Sequence, residues 1–295
     1  MTNLAKKGLT MTIVFEGESA NYGEGLGNIS ELKKISRGDG NSYSYISRQA
    51  LIYDIKNQMN VNNTKLQLDK TVIQYDANTT IQDSVEKDLF GYMTTSKSKT
   101  KTKSAIVRVS NAIALESFNS DLDFLTNKNL FDRANTQGLN VKGGNISQSE
   151  IHKSYYAYTI TIDLDKVGID INDDVEISNE EKAQRIVSLL KTTKILYRDI
   201  KGRRENLSPI FAIGGVYDTK NAFFENRVKV KDNKIEVEAI KDVIELDDEI
   251  ANNTVVGVIS NIFDNDEEIK EKLNATSIRN VFDSLEEKVK EYYLA

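Results

Sequence analysis

The sequence predicts an α+β protein built on six elements in the order β-α-β-β-α-β, which is the ferredoxin-like order. Two observations support this prediction. Some segments alternate apolar with polar residues, as half-buried strands do, and others space apolar residues three and four positions apart, as helices do. The 295 residues are 39% hydrophobic, which is enough apolar material for a folded core. We therefore expect one elaborated domain over residues 1–295.

The first half of the chain contains three of these elements. Residues 9–16 alternate apolar side chains with threonines, which predicts the first strand. Residues 45–58 have apolar residues at helical spacing, so they predict a helix with Ser42 or Ser44 as its N-cap. Residues 104–110 place alanine and two valines on one face, which predicts the second strand.

The second half completes the order. Residues 155–164 alternate most clearly of all and predict the third strand. Residues 179–196 predict a helix that begins with a capping box, formed by Ser178 and Glu181. Residues 209–216 predict the last strand. Beyond these six elements the sequence predicts a hairpin at 228–239, a strand at 254–259 and an amphipathic C-terminal helix.

Two long insertions interrupt the predicted order, at residues 60–103 and 111–153. Residues 17–44 are rich in Gly, Ser and Asn and predict a long loop. Residues 235–295 form an acidic C-terminal part with 16 acidic and 6 basic residues, whereas the rest of the chain has 29 and 33. The net charge of −6 is therefore compatible with a polyanionic partner, provided that basic residues cluster in the first part.

Composition excludes several kinds of chemistry. Cysteine is absent, which excludes disulfides, thiolate metal sites, iron–sulfur clusters and cysteine nucleophiles. The only histidine, His152, is either the general base of a metal-independent nuclease or an ordinary surface-loop histidine, and we favour the surface loop. No stretch approaches the ~20 apolar residues of a membrane span, and residues 1–7 lead into a strand, not a signal-peptide core. We expect a cytoplasmic protein without membrane contact.

The sequence predicts neither a metal site nor a cofactor site. Four pairs of acidic residues occur, but none has the spacing of a known cation-binding loop, so solvated surface is the simpler explanation for all of them. These pairs are Asp121 with Asp123, Asp163 with Asp165, Asp173 with Asp174, and Asp264 with Asp266. The glycine-rich segment 23–27 lacks the spacing of a phosphate loop and is a poor dinucleotide fingerprint. We expect a turn-rich connection there, and no catalytic residues.

The start of the predicted helix 45–58 is the most informative candidate binding feature. Ser44, Ser47 and Arg48 are three and four residues apart and would share one face of its first turn. A helix N-terminus offers free backbone N–H groups and the positive end of a dipole, which suit a phosphate group. Arg37 in the preceding loop would add to this patch. An ordinary capped helix with a solvated face fits the same spacing equally well.

Two further basic clusters are candidates for RNA binding. One stretch has four lysines in eight residues and includes Lys97, Lys99 and Lys101. The other follows the second predicted helix and includes Arg203 and Arg204. Such clusters suit contact with phosphates regardless of base sequence, although charge runs are also typical of solvated surface. The RNP1 signature of RRM domains is absent, so RNA contact would not use that aromatic platform.

Seven short segments of the chain carry a resemblance to a known family. The more specific ones are Tyr45–Leu51 and Asp88–Tyr92. The supporting ones are Leu9–Asn21, Arg37–Asn41, Arg108–Leu115, Tyr155–Leu164 and Phe211–Tyr217. Together they resemble the Cas7 backbone proteins of type I-B CRISPR systems, the Cst2/DevR group, from about residue 8 to the C-terminus. The resemblance adds Asn21 and Arg108 to the candidate RNA-binding residues.

The resemblance implies an RRM-like palm whose insertions form fingers (60–103) and a thumb (111–153). It also implies that the protein binds CRISPR RNA, polymerises along it, joins Cas5-like and large subunits in a Cascade-like complex, and supports recognition of target DNA through the guide. A separate helicase-nuclease cuts the target, so the resemblance implies no enzymatic activity. In type III relatives a thumb aspartate cleaves RNA. Asp121 and Asp123 lie in that stretch here, but a type I resemblance does not carry the activity over.

Three hypotheses of different classes therefore stay open. The first is a non-catalytic scaffold that binds CRISPR RNA. The second is a ribonuclease on the same RRM-like fold, dependent on a metal ion or on His152. The third is a plain oligomerising protein that binds no nucleic acid.

Overall fold

The computed structural model describes residues 4–23, 25, 27–95, 100–139 and 146–295. It shows a mixed α+β structure with mainly antiparallel sheets, which confirms the predicted class. Within these ranges, no helix is both long enough and apolar enough to cross a membrane.

The strands and helices have the following bounds. The strands are β1 Gly8–Gly17, β2 Ile29–Ser30, β3 Lys34–Ser36, β4 Ser42–Ile46, β5 Leu66–Asp69, β6 Val72–Tyr75, β7 Tyr92–Thr95, β8 Thr100–Lys103, β9 Val107–Val109, β10 Ala112–Ala114, β11 Asp121–Thr126, β12 Ile146–Ile151, β13 Ser154–Asp163, β14 Ile169–Asp170, β15 Val175–Glu176, β16 Tyr197–Ile200, β17 Arg203–Asn206, β18 Phe211–Tyr217, β19 Val230–Lys231, β20 Lys234–Ile235 and β21 Val255–Val258. The helices are α1 Arg48–Gln58, α2 Val85–Phe90, α3 Lys128–Thr136, α4 Asn179–Lys194, α5 Val237–Ile244, α6 Asp248–Asn253, α7 Asp266–Leu273 and α8 Ile278–Leu294.

The main sheet has the strand order β21-β18-β1-β13-β10-β4-β3, and β9 also pairs with β13. All of these neighbours are antiparallel. The predicted second strand is divided into β9 and β10, which pair with successive parts of β13 and are separated by Ser110 and Asn111. In chain order, β1, α1, β9 with β10, β13, α4 and β18 follow the predicted β-α-β-β-α-β pattern.

Alternation along these strands places apolar side chains on both faces of the sheet. One face, which we call the helical face, packs against α1, α4 and α8. It includes Leu9, Met11 and Ile13 of β1 and Tyr156 and Tyr158 of β13, all of them buried. The other face, which we call the second face, packs at its β18 edge against the segment that contains α5, α6 and α7. The C-terminal acidic part thus contributes to both cores.

The structure corrects two predicted elements. The first helix begins at Arg48 and its N-cap is Ser47, whose side chain accepts a hydrogen bond from the backbone N–H of Ala50. The preceding residues instead form β4, which pairs with β3 and β10, so neither Ser42 nor Ser44 is a cap. The predicted hairpin at 228–239 is shorter, because residues from 237 onward are helical. By contrast, the capping serine of α4 is confirmed.

The two insertions contain secondary structure of their own. Residues 60–103 form two hairpins, β5–β6 and β7–β8, and the short helix α2. The side chain of Gln74 joins the hairpins: its amide N–H donates to the carbonyl of Thr95, and its carbonyl accepts from the N–H of Thr95, both at 2.7 Å. In the second insertion β10 belongs to the main sheet, so the projecting part begins after Leu115. It contains β11, α3 and β12.

A buried ion network attaches the first insertion to α4. The carboxylate of Asp88, at 0% exposure, accepts a hydrogen bond from Arg185 Nη1 at 2.9 Å and from the backbone N–H of Gly168 at 3.1 Å. Lys103 Nζ of β8 lies 3.2 Å from the same carboxylate. Gly91 follows with φ of +77°, and a Cβ there would lie 2.6 Å from the carbonyl oxygen of Lys103. This arrangement gives the Asp88–Tyr92 segment a structural role.

We predict that Asp88→Ala lowers the free energy of unfolding by ~3–5 kcal/mol, because it removes the buried carboxylate that Arg185 and Lys103 share and leaves Arg185 only the more exposed carboxylate of Glu181. Urea unfolding followed by circular dichroism measures this change. Asp132→Ala is the control: Asp132 is exposed on α3 and pairs only with Lys128 at 3.6 Å, so it should change stability by less than ~1 kcal/mol. Equal losses in the two variants would contradict the prediction.

Candidate nucleic-acid interface

The second face of the main sheet is covered near β18 but open toward β4. Val14, Phe211 and Ile213 are buried there beneath the C-terminal segment. Since Ile46 and Ala112 point into the core of the helical face, alternation places their neighbours Tyr45 and Ile113 on the second face, where both are only half-buried. This uncovered part of the sheet is accessible to a large ligand.

A cleft of ≈ 350 Å³ lies at the boundary between the covered and uncovered parts. Its floor includes Thr12 of β1 and Thr159 of β13, whose hydroxyl oxygens are 2.7 Å apart. Its walls carry side chains of both charges together with neutral polar groups: Arg37, Lys229, Glu225, Ser110, Asn111 and Asn226. The lining therefore offers both hydrogen-bond donors and acceptors to a polar ligand.

The start of α1 lies beside this cleft. The backbone N–H of Arg48 donates to Asn111 Oδ1 at 2.8 Å, and that of Ser47 donates to Asn21 Oδ1 at 3.3 Å. Asn111 also lines the cleft. The side chain of Arg48 is exposed, and within the described ranges no acidic residue forms an ion pair with it. Three sequence-predicted residues, Asn21, Ser47 and Arg48, are therefore brought together.

Arg37 and Arg108 provide two more cations on the second face. The Arg37 guanidinium lies 4.3 Å from the centre of the Tyr43 ring, whose hydroxyl donates to Asp39. Arg108 lies on β9, exposed between two buried valines, and its Nη2 is 3.0 Å from Asp163 Oδ2. Burial alone would raise the pKa of Asp163, but hydrogen bonds from Arg108 and Lys166 hold that pKa below its ordinary value. Arg108 is thus partly neutralised. Arg37 forms no ion pair among the described residues, but its charge acts on the nearby Asp39, whose pKa is lowered chiefly by the hydrogen bond from Tyr43.

The prediction that Ser44 shares the first turn of the helix and faces a phosphate is wrong. It belongs to β4 and not to the first turn of α1, and its side chain points into the core at 0% exposure. Its hydroxyl oxygen lies 2.7 Å from His152 Nδ1 and 2.7 Å from the hydroxyl of Tyr156. A buried and fully engaged hydroxyl cannot contact a phosphate at the surface.

The remaining predicted cations lie elsewhere, and those the structure describes are ion-paired. Lys101 of β8 pairs with Asp173. Arg203 pairs with Glu18 and Glu205, and Arg204 pairs with Asp199 at 2.9 Å. Lys97 and Lys99 lie outside the described residues. The described members of the two basic clusters that were predicted to bind RNA are therefore engaged by carboxylates of the protein itself.

His152 and Asp163 also depart from prediction. His152 is 6% exposed and packs edge-on against Phe118, so it is not a surface histidine. Burial lowers its pKa. Asp163 is buried and ion-paired, so solvated surface does not describe every acidic pair. In the part of the chain that the structure describes, no group of three or more acidic or histidine side chains is arranged to hold a metal ion.

Sequence reasoning missed two residues of this interface. Asn111 lies in the matched Arg108–Leu115 segment, but its contact with α1 depends on the break between β9 and β10, which no spacing indicated. Lys229 lies in the predicted hairpin, with its Nζ 4.0 Å from Glu236 Oε2. Lys229 nevertheless remains exposed and also lines the cleft.

Comparison with known proteins agrees with the resemblance. The sequence profile of the family described as CRISPR-associated negative auto-regulator DevR/Csa2 matches residues 9–239. The chain belongs to this family. It is a Cas7-type protein, as its short segments predicted. No curated protein matches the sequence.

Solved structures agree on the fold. One chain, described as "CRISPR RNA-guided surveillance complex, pre-nicking", has a TM-score of 0.63 and 10% identity, and the match covers 96% of this chain and 100% of that one. Another, described as "CRISPR RNA-guided surveillance complex", has a TM-score of 0.61 and 13% identity, with coverage of 95% and 99%. At these identities the likeness concerns the fold alone.

Proposed function

We propose that the protein is a CRISPR RNA-binding backbone subunit of a type I-B, Cascade-like complex in the cytoplasm. In this proposal the main sheet with α1 and α4 is an RRM-like palm, and the insertions are its fingers and thumb. Copies polymerise along the guide beside Cas5-like and large subunits, and the guide pairs with target DNA. The protein itself is not an enzyme and needs no cofactor.

One observation carries the proposal: Arg37 and Arg48, which form no ion pair among the described residues, both lie near Asn111 at the open part of the second face. Asn111 accepts a hydrogen bond from the backbone of Arg48 and shares the cleft with Arg37. Neither guanidinium has an ion-pair partner among the described residues. Each is therefore free to neutralise a phosphate, and contacts of this kind carry little base preference.

We predict that Arg48→Ala weakens binding of single-stranded RNA about fivefold, the effect of one exposed ion pair of ~1 kcal/mol. The slope of log affinity against log salt should decrease by about 0.7, because one phosphate contact is lost. Fluorescence anisotropy at several salt concentrations measures both quantities.

Arg279→Ala is the matched control, since Arg279 is 81% exposed on α8 and its removal deletes the same charge. Circular dichroism should show both variants folded. If both variants bind RNA like the unaltered protein, or if affinity is independent of salt, the proposed interface is wrong.

A second prediction concerns catalysis. The proposal assigns none, and the buried, hydrogen-bonded state of His152 supports this, because a general base must reach its substrate. Purified protein incubated with RNA and Mg²⁺ should protect the RNA and not shorten it, and gel electrophoresis measures the product lengths. Cleavage that follows the protein through purification and disappears in His152→Ala would support the ribonuclease hypothesis instead.

The distribution of exposed apolar side chains supports assembly with further copies. Of the 19 exposed large hydrophobic residues that the structure describes, 11 lie in the two insertions. They are Leu66, Leu68, Val72, Ile73 and Met93 in the first, and Leu122, Phe124, Leu125, Leu130, Leu139 and Ile146 in the second. Apolar residues gathered on projecting segments are typical of surfaces that become buried in a complex.

We predict that proteases cut residues 116–153 rapidly in the RNA-free monomer and slowly in the RNA-bound assembly. The six exposed apolar residues there gain burial only when another subunit covers them. Limited proteolysis with mass spectrometry measures the cleavage rates, and cleavage elsewhere in the chain is the internal control. Equal rates in monomer and assembly would contradict the assignment of this segment as a thumb.

A further inference from the structure

Three buried polar side chains close a ring of hydrogen-bond contacts beneath the second insertion. His152 Nδ1 lies 2.7 Å from Ser44 Oγ, and Ser44 Oγ lies 2.7 Å from the hydroxyl oxygen of Tyr156. The Tyr156 hydroxyl lies 2.9 Å from the backbone carbonyl oxygen of His152. All three residues are at most 6% exposed. The series of contacts therefore begins at the side chain of His152 and ends at its backbone carbonyl.

The sheet register makes this ring possible. Ala114 of β10 is paired with Tyr156 of β13, and the antiparallel register of β10 with β4 continues from the Ile113–Tyr45 pair to place Ala114 beside Ser44. Ser44 and Tyr156 thus lie in one row, on either side of Ala114. Because alanine is small, the two hydroxyl groups can meet across the strand that separates them.

Counting the hydrogen atoms of the three contacts places one of them on His152 Nδ1, whether or not Nε2 carries another. Each of the three contacts needs one hydrogen, and the hydroxyl groups of Ser44 and Tyr156 supply one each. The third must come from His152 Nδ1. If the hydrogen were on Nε2 alone, one contact would set two lone pairs against each other in a buried site, which is unfavourable.

Burial also favours the neutral imidazole, because it lowers the pKa of His152. Several charged groups lie around it on the neighbouring elements. A hydrogen bond with the backbone of Ser117 acts to raise this pKa, and so do the charges of Glu116 and Asp121; all three come from the segment that leads from β10 into β11. The backbone carbonyl of Glu18 accepts a hydrogen bond from the backbone N–H of His152. Lys34 and Glu150 form an ion pair near Phe118, and Lys153 is the next residue in the chain.

The ring joins β4 to the start of β13, beside the contacts that β12 already makes with β2 and with Lys34 through Glu150. His152 lies between β12, the last strand of the second insertion, and β13. Ser44 lies three residues before Ser47, the N-cap of α1. Phe118, at the other end of the insertion, packs against the His152 ring with centroids 5.4 Å apart and donates its backbone N–H to the carbonyl of Ser42. Both ends of the insertion therefore meet at His152.

We infer that His152 is a positioning residue which, as the neutral Nδ1–H tautomer, fixes the base of the second insertion against β4 and β13 through this ring. The inference goes beyond RNA binding and does not require it. The ring acts together with the pairing of β12 and β2 and with the buried Glu150 carboxylate, which accepts hydrogen bonds from Leu32 and Lys34.

Nitrogen-15 NMR of the imidazole ring tests the inference in RNA-free protein at pH 7.5. The chain has a single histidine, so every imidazole nitrogen signal in the spectrum belongs to His152. We expect the Nδ1–H tautomer in the unaltered protein. An Nε2–H tautomer, or a ring protonated on both nitrogens, would overturn the inference.

Two variants and one control extend the test. Tyr156→Phe and Ser44→Ala should both disturb the tautomer signal and accelerate proteolysis within 116–151 about fivefold, the change that one hydrogen bond of ~1 kcal/mol makes to a local opening equilibrium. Tyr158→Phe is the control. Tyr158 lies on the same strand and face, and its buried hydroxyl has no partner among the described residues.

The control variant should leave the imidazole signal and the cleavage rate unchanged. If Tyr156→Phe does not fold, Ser44→Ala and the spectrum of the unaltered protein still decide the question. Unchanged tautomer and cleavage rate in a folded Ser44→Ala protein would overturn the inference. Because every measurement is made without RNA, failure here would leave the RNA-binding proposal untouched.

Discussion

β1 and β13 pair antiparallel along all ten of their residues, from Gly8 with Asp163 to Gly17 with Ser154. This central pair divides apolar side chains between two faces, so each face needs a separate cover. The helical face is covered by α1, α4 and α8, and the second face is covered by the C-terminal segment only near β18. The open area of the second face is thus a consequence of how far that segment reaches, and it is where the unpaired cations lie.

Regular periodicity predicted the parts of the fold that are governed by local rules. The alternation in β1 and β13 and the capping serine of α4 all have short-range causes, and all are present. The start of α1 was misplaced because Tyr43 to Ile46 fit a helix as well as a strand. Only the pairing of β4 with β10, more than 60 residues away, decides between the two.

Charge clusters were poorer guides to the candidate interface, because ion pairing depends on tertiary structure. Arg198 is buried against Glu205, and the same carboxylate accepts hydrogen bonds from the backbone of Glu18 and Ser19. Burial would raise the pKa of Glu205, but the charge of Arg198 and these backbone N–H groups hold it below its ordinary value. This second basic cluster therefore anchors a loop. The isolated arginines Arg37 and Arg48, by contrast, form no ion pair in the part of the chain that the structure describes.

The link between Gln74 and Thr95 has a structural consequence. A side-chain amide that donates to a carbonyl and accepts from the N–H of one residue reproduces the hydrogen bonding of a peptide group in a β-ladder. The β5–β6 and β7–β8 hairpins are thereby coupled without a continuous sheet. Since β8 also holds Lys103 against the Asp88 carboxylate, which pairs with Arg185, a continuous series of polar contacts runs from the β5–β6 hairpin through Gln74 and β8 to α4.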